Sequence, residues 1–115
     1  CVDSESKNAS QVNDGTRVMA DSKGRIIEIG KDLKDWQSID TGLFMMDSEV
    51  LDNIKHLMAR QGKNVTISEV VQHMADNGRH FQTCDVSGQF WADVDTEEDR
   101  DSVSVLIKEG QGHDL

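Results

Sequence analysis

Two carboxylates stand at alternate positions in the stretch Phe90-Trp91-Ala92-Asp93-Val94-Asp95-Thr96-Glu97-Glu98-Asp99. In an extended run, residues two apart point the same way, so Asp93 and Asp95 can converge on one point in space. The apolar lead-in Phe90-Trp91-Ala92 predicts a strand end. Thr96 predicts the N-cap of a helix whose first turn holds Glu97, Glu98 and Asp99, where a helix N-terminus favours negative charge. Carboxylates at the lip of a sheet hold a divalent cation beside phosphates in many α/β proteins. An acidic helix start with no metal accounts for the same residues, and residue types alone leave both readings open.

Three further features bear on chemistry. Lys31 follows Gly30 at a predicted strand end, where it can pair with a substrate phosphate as a point charge or remain a solvated surface residue. Asp40-Thr41-Gly42 sets a carboxylate and a hydroxyl ahead of a glycine, a group able to hydrogen-bond a polyol and equally able to be a turn. His56 and His73 fall on predicted helices and no histidine pair has ligand spacing, so the histidines are set aside. The sequence has no Gly-x-Ser-x-Gly elbow, no Cys/His pair that spacing would reveal and no Gly-rich phosphate loop.

The composition excludes other classes. With 12 Lys and Arg against 22 Asp and Glu, the formal net charge is −10. Such a surface repels nucleic-acid phosphates, and no basic patch offsets it. No segment has the length of a membrane span or the pattern of a signal peptide, which fits a cytoplasmic protein. Cys1 and Cys84 lack zinc-like spacing and read as free thiols. The 115 residues suit a single domain, residues 1–115. The opening on Cys1 rather than Met, and the small number of strands, read as a piece of a longer chain.

The elements that must position these residues follow from periodicity. Val2-Asp3 reads as a strand end and residues 4–15 as a mobile polar loop. Thr16–Asp21 and Ile26–Ile29 flank a Ser22-Lys23-Gly24-Arg25 turn, the pattern of a β-hairpin. Asp32–Ser38 is a polar connector. Leu43–Met46 reads as a buried strand entered through Thr41-Gly42, with the glycine allowing close approach. Asp47-Ser48 caps a helix with Val50, Leu51, Ile54, Leu57 and Met58 inward, ended by Gly62. Thr66-Ile67-Ser68-Glu69 opens a second helix with Ile67, Val70, Val71 and Met74 inward, closed by Asn77-Gly78. His80–Val86 is a further strand, and the last helix spans Thr96–Lys108 with Val103, Leu106 and Ile107 as its core face. Residues 110–115 read as a frayed tail or a linker.

Taken in order, the runs Gly24–Lys31, Ile39–Phe44 and Phe90–Asp99 resemble the C-terminal half of the nucleotidyltransferase superfamily. The nearest likeness is to CTP:inositol-1-phosphate cytidylyltransferases. It covers about Arg17 to Val103. The resemblance implies an α/β, Rossmann-like nucleotidyltransferase fold, a mixed sheet with helices on both faces, of which this chain is the C-terminal part. It implies a Mg²⁺-dependent enzyme that transfers a cytidylyl group from CTP to inositol 1-phosphate and releases pyrophosphate. Lys31 would hold the acceptor phosphate as the catalytic lysine, and Asp40, Thr41 and Gly42 would lie in the acceptor pocket. Asp95, assisted by Asp93, would hold the metal. A sugar-1-phosphate or molybdopterin-type nucleotidyltransferase is the alternative, and a non-catalytic acidic binding module a second one. Some members are fused to a membrane-bound lipid synthase, which would add a membrane-associated segment downstream and a link to phospholipid biosynthesis. The chain departs from the pattern at Glu97, where the family has Pro after the Thr. It also lacks the family's N-terminal half, which carries the triphosphate loop and another metal-binding Asp, so the chain alone is expected to be inactive.

Overall fold

The computed structural model describes residues 1–110, in the order β1 (Val2–Asp3), α1 (Ala9–Asp14), β2 (Arg17–Ala20), β3 (Ile26–Gly30), β4 (Ser38–Asp40), α2 (Ser48–Gln61), α3 (Ile67–Asp76) and α4 (Glu97–Lys108). The expected tail at 111–115 lies outside the described residues. The four strands form one sheet in the order β1-β4-β2-β3. The β2–β3 hairpin is present, turning through Gly24 at φ +77°, where a side chain would be strained.

The sheet pairings are antiparallel, and parallel character enters through the bridge between Val2 and Asp85. No continuous strand forms over His80–Val86. That segment changes partner midway: Phe81 and Thr83 bond the outer side of the β2–β3 hairpin, whereas Cys84 and Val86 bond Val2. It therefore straps one edge of the sheet to the other. Gln72 of α3 also covers β3, accepting from Ile29 N–H and donating to the Ile27 carbonyl, both at 3.0 Å. An edge strand would otherwise expose these groups.

Helices lie on both faces. Successive residues of a strand alternate between faces. Val18 and Ile29 face α3, forming a core with Val2, Ile26 and Val71. A second cluster, Val50, Leu57, Val70 and Met74, seals α2 against α3, and Phe81 packs on both clusters. The opposite face carries Ile39, only 1% exposed. It is covered from the side of α1, where a Cβ on Gly15 would come within 2.8 Å of Ile39 Cγ2.

Several expectations change. Residues 9–14 are helical rather than loop, a helix that its single apolar branched residue, Val12, does not announce; Gln11 ties it to the Trp91 carbonyl. Leu43–Met46 is not a strand: sheet pairing ends at Asp40, Gly42 turns the chain away at φ +84°, and Leu43 and Met45 are 65% and 96% exposed. Only Phe44 packs inward, edge-on to Phe81. Phe90–Ala92 also forms no strand, and Asp93 and Asp95 sit on an irregular loop. In α2 and α3, Leu51, Met58 and Ile67 lie outward while their neighbours pack. No residue of α4 is buried; Val103 and Leu106 are half-buried and Ile107 is exposed.

Candidate active site

The sheet register brings two of the motifs to one end of the fold. Arg17 of β2 pairs with Gly30 on one side and with Ile39 on the other. Lys31 and Asp40, the next residues along β3 and β4, therefore leave the sheet at the same end. Two strand spacings separate them, about 10 Å. They do not line one cavity. Lys31 lines a cleft of about 900 Å³ with Thr16, Arg60, Thr66, Glu69 and Gln72. Asp40 lines a more apolar cleft of about 860 Å³ with Val2, Phe44, Arg79 and Phe81.

The Asp40-Thr41-Gly42 triplet is a built turn. Gly42 N–H donates to Asp40 Oδ1 at 2.8 Å, and the Thr41 hydroxyl donates to the Cys1 carbonyl at 2.9 Å. The space around Gly42 is open, and a Cβ at this position would meet nothing within 4 Å, so its positive φ rather than a close approach requires glycine. Burial raises the Asp40 pKa. The Gly42 N–H and the amino group of Cys1 oppose that rise, and the negative charge of Asp93 adds to it. Asp93 is thus near enough for Asp40 to feel its charge.

Asp93 reaches this position through Trp91. The indole Nε1 donates to Asp3 Oδ2 at 2.7 Å, and Gln11 Nε2 donates to the Trp91 carbonyl at 3.0 Å. Asp3 is buried and pairs with Ile39, while its neighbour Val2 pairs with Asp40. β1 therefore ties the carboxylate loop to the end of β4. Asp95 lies farther along, exposed, with its N–H donating to Asp99 Oδ2 at 3.1 Å. Thr96 and Asp99 close a capping box at the start of α4.

Among the described residues, no group of three or more His, Cys, Asp or Glu side chains converges closely enough to hold a metal. The donor chemistry nevertheless fits Mg²⁺, which is commonly bound by one or two carboxylates with phosphate and water oxygens completing the shell. Sequence reasoning missed Asp3 and Gln11. The signal that points to them is Trp91, a large amphipathic side chain two residues ahead of Asp93 that needs a partner for its N–H when packed.

Comparison with known proteins gives the same direction. The chain is 31% identical over 102 residues to a protein of Archaeoglobus fulgidus named bifunctional IPC transferase and DIPP synthase, covering 84% of this chain and 19% of that protein. An Aquifex aeolicus protein of the same name is 36% identical over 87 residues, covering 76% of this chain and 19% of that protein. The structure of the inositol-1-phosphate CTP transferase from T. maritima superposes with a TM-score of 0.74 at 23% identity, covering 93% of this chain and 42% of that one. The chain has the α/β fold of that neighbour, and its curated relatives are transferases by name. It spans 19% of the length of the curated relatives it matches. No protein-family model matches it. No helix among its described residues is long and apolar enough to cross a membrane.

Proposed function

We propose that this chain supplies the acceptor-phosphate and metal contacts of a Mg²⁺-dependent nucleotidyltransferase that joins CTP to inositol 1-phosphate. The observation that supports this reading is the register by which Lys31 and Asp40 leave the sheet at the same end, in a chain whose curated relatives are named as IPC transferases. The coverage of 42% of the structural neighbour supports a site completed by residues outside this chain, including those that would hold the triphosphate.

In the proposed reaction, a phosphate oxygen of inositol 1-phosphate attacks the α-phosphorus of CTP. A new P–O bond forms, the bond to the bridging oxygen of the β-phosphate breaks, and pyrophosphate leaves. Lys31 binds the acceptor phosphate, offsetting repulsion between two anions and orienting the attacking oxygen. Asp40 would accept a hydrogen bond from a polyol hydroxyl of the acceptor. Thr41 shapes the turn, its hydroxyl proton being committed to the Cys1 carbonyl. Asp93 and Asp95 would hold Mg²⁺, which when bound neutralises charge developing on the phosphates. The relatives' name couples a DIPP synthase to the transferase, which supports a second activity in the longer protein.

The test is turnover by the full-length protein with a panel of nucleoside triphosphates and phosphorylated acceptors. CTP with inositol 1-phosphate is expected to be the best pair. A preference for UTP or GTP with a hexose phosphate would overturn the inositol assignment. Lys31→Ala is expected to raise KM for the phosphorylated acceptor roughly tenfold or more, whereas Asp95→Ala and Asp93→Ala should change the Mg²⁺ dependence. Wild-type turnover in all three variants would show the residue roles to be wrong.

A further inference from the structure

The loop carrying Asp93 and Asp95 belongs to no strand, so something outside the motif must hold it. Two bonds do, and both meet at Trp91. Asp3, 6% exposed, accepts the indole N–H at 2.7 Å. Its other oxygen accepts the N–H of Glu5 at 2.9 Å. Gln11 of α1 donates to the Trp91 carbonyl at 3.0 Å. The partners Asp3 and Trp91 are 88 residues apart in the chain, and burying a carboxylate to join them is costly unless it is fully hydrogen-bonded. Both groups that contact Asp3 are donors. An ionised carboxylate accepts with both oxygens, whereas the isosteric amide has a single accepting oxygen and would lose one of the two bonds.

We propose that Asp3 is a positioning residue for the metal-binding loop: through Trp91, and with Gln11 as a second grip, it anchors the loop that carries Asp93 and Asp95 to β1. This rests on the reading that those two carboxylates hold the divalent cation. β1 is the common anchor, since Val2 is in register with Asp40 while Asp3 grips the loop. Asp3 touches neither substrate nor metal in this role.

The test is Mn²⁺ affinity, measured on the full-length protein by electron paramagnetic resonance titration with the metal alone, beside steady-state kinetics. Asp3→Asn and Trp91→Phe are each expected to weaken Mn²⁺ binding roughly tenfold, the scale of losing an outer-shell partner, with KM for the phosphorylated acceptor within about twofold of wild type. The double variant should bind no more weakly than the worse single one, because both substitutions break the same link. A general loss of structure would instead move metal affinity and acceptor KM together, and that outcome would count against the positioning role. Should Asp3→Asn or Trp91→Phe fail to fold, Gln11→Met removes the second grip without disturbing the buried carboxylate, and a smaller loss of Mn²⁺ affinity is expected. Unchanged Mn²⁺ affinity in the tether variants, with weakened binding in Asp93→Asn and Asp95→Asn, would overturn the positioning role alone. Unchanged affinity in Asp93→Asn and Asp95→Asn would overturn the metal reading, and the tether's role with it.

Discussion

Asp40 leaves the sheet with its carboxyl partly withdrawn from water and within reach of the charge on Asp93. Burial raises its folded-state pKa above the ordinary 3.8, and Asp93 adds to the rise against the opposing Gly42 N–H and Cys1 amino group. For a raised group, the linked stability is fully present below the unfolded pKa and is lost as pH rises through the folded one. Asp40→Asn removes the ionisation and keeps an oxygen to accept the Gly42 N–H. At about pH 7 this variant is expected to melt at or above the wild-type temperature, with the difference closing as pH falls below about 4; thermal melts across that range check it. Asp85 has the opposite sense. The Ser4 hydroxyl, then the Ser87 N–H, hold its pKa down. Stability linked to it is present above the unfolded value and lost as pH falls through the folded one. Ser4→Ala should therefore reduce the difference in stability between neutral and acid pH.

At the scale of elements, the helix ends carry local information and the packed faces do not. The Asp47 side chain accepts from the N–H groups of Glu49 and Val50, and Gly62 closes α2 in the left-handed region at φ +64°. Asp47→Ala is expected to cost about 1 kcal/mol in urea unfolding, the usual loss for such a cap. The residue that follows α1 is tightly enclosed. A Cβ at Gly15 would lie 2.2 Å from the Gln11 carbonyl oxygen as well as close to Ile39, so in Gly15→Ala the end of α1 and the Ile39 side chain must shift. An overpacking cost of about 1–3 kcal/mol is expected. Because Gln11 sits on this helix and holds Trp91, the fluorescence of Trp91 in a Trp36→Phe background should shift as well.

On the scale of the whole molecule, the sheet is closed by the Phe81–Val86 strap and sealed on one face by α3. Val71 lies where these meet, with no solvent exposure. Val71→Ala should cost about 2 kcal/mol, from lost burial and the small cavity left behind, read as a lower urea midpoint without a change in slope. α4 contributes no buried residue, so truncating its apolar positions, for example Ile107→Ala, should change stability of this chain by less than about 0.5 kcal/mol. The contrast between the two substitutions tests where the core ends.

The sequence by itself determined what local rules can encode. It carries the hairpin in its alternating β-rich runs and central Gly24, and both ends of α2 in Asp47 and Gly62. It carries the caps at Thr66 and Thr96 in hydroxyl-to-N–H geometry that spans only a few residues. The order of its three motifs points to the α/β fold shared with the inositol-1-phosphate CTP transferase from T. maritima. Tertiary structure decided the rest. Leu43–Met46 reads as a strand because it is apolar, but β1 and β2 already flank β4 and Gly42 turns the chain out. Residues 9–14 read as a loop because their helix carries a single apolar branched residue, Val12, and is tied by Gln11 to Trp91 far along the chain. Asp93 and Asp95 are alike in type and spacing, and nothing in their own segment shows that their loop is tied through Trp91 to a buried Asp3 across most of the chain. Periodicity and caps are properties of neighbours in sequence; where the carboxylate loop is held depends on register and burial, which exist only once the sheet has formed.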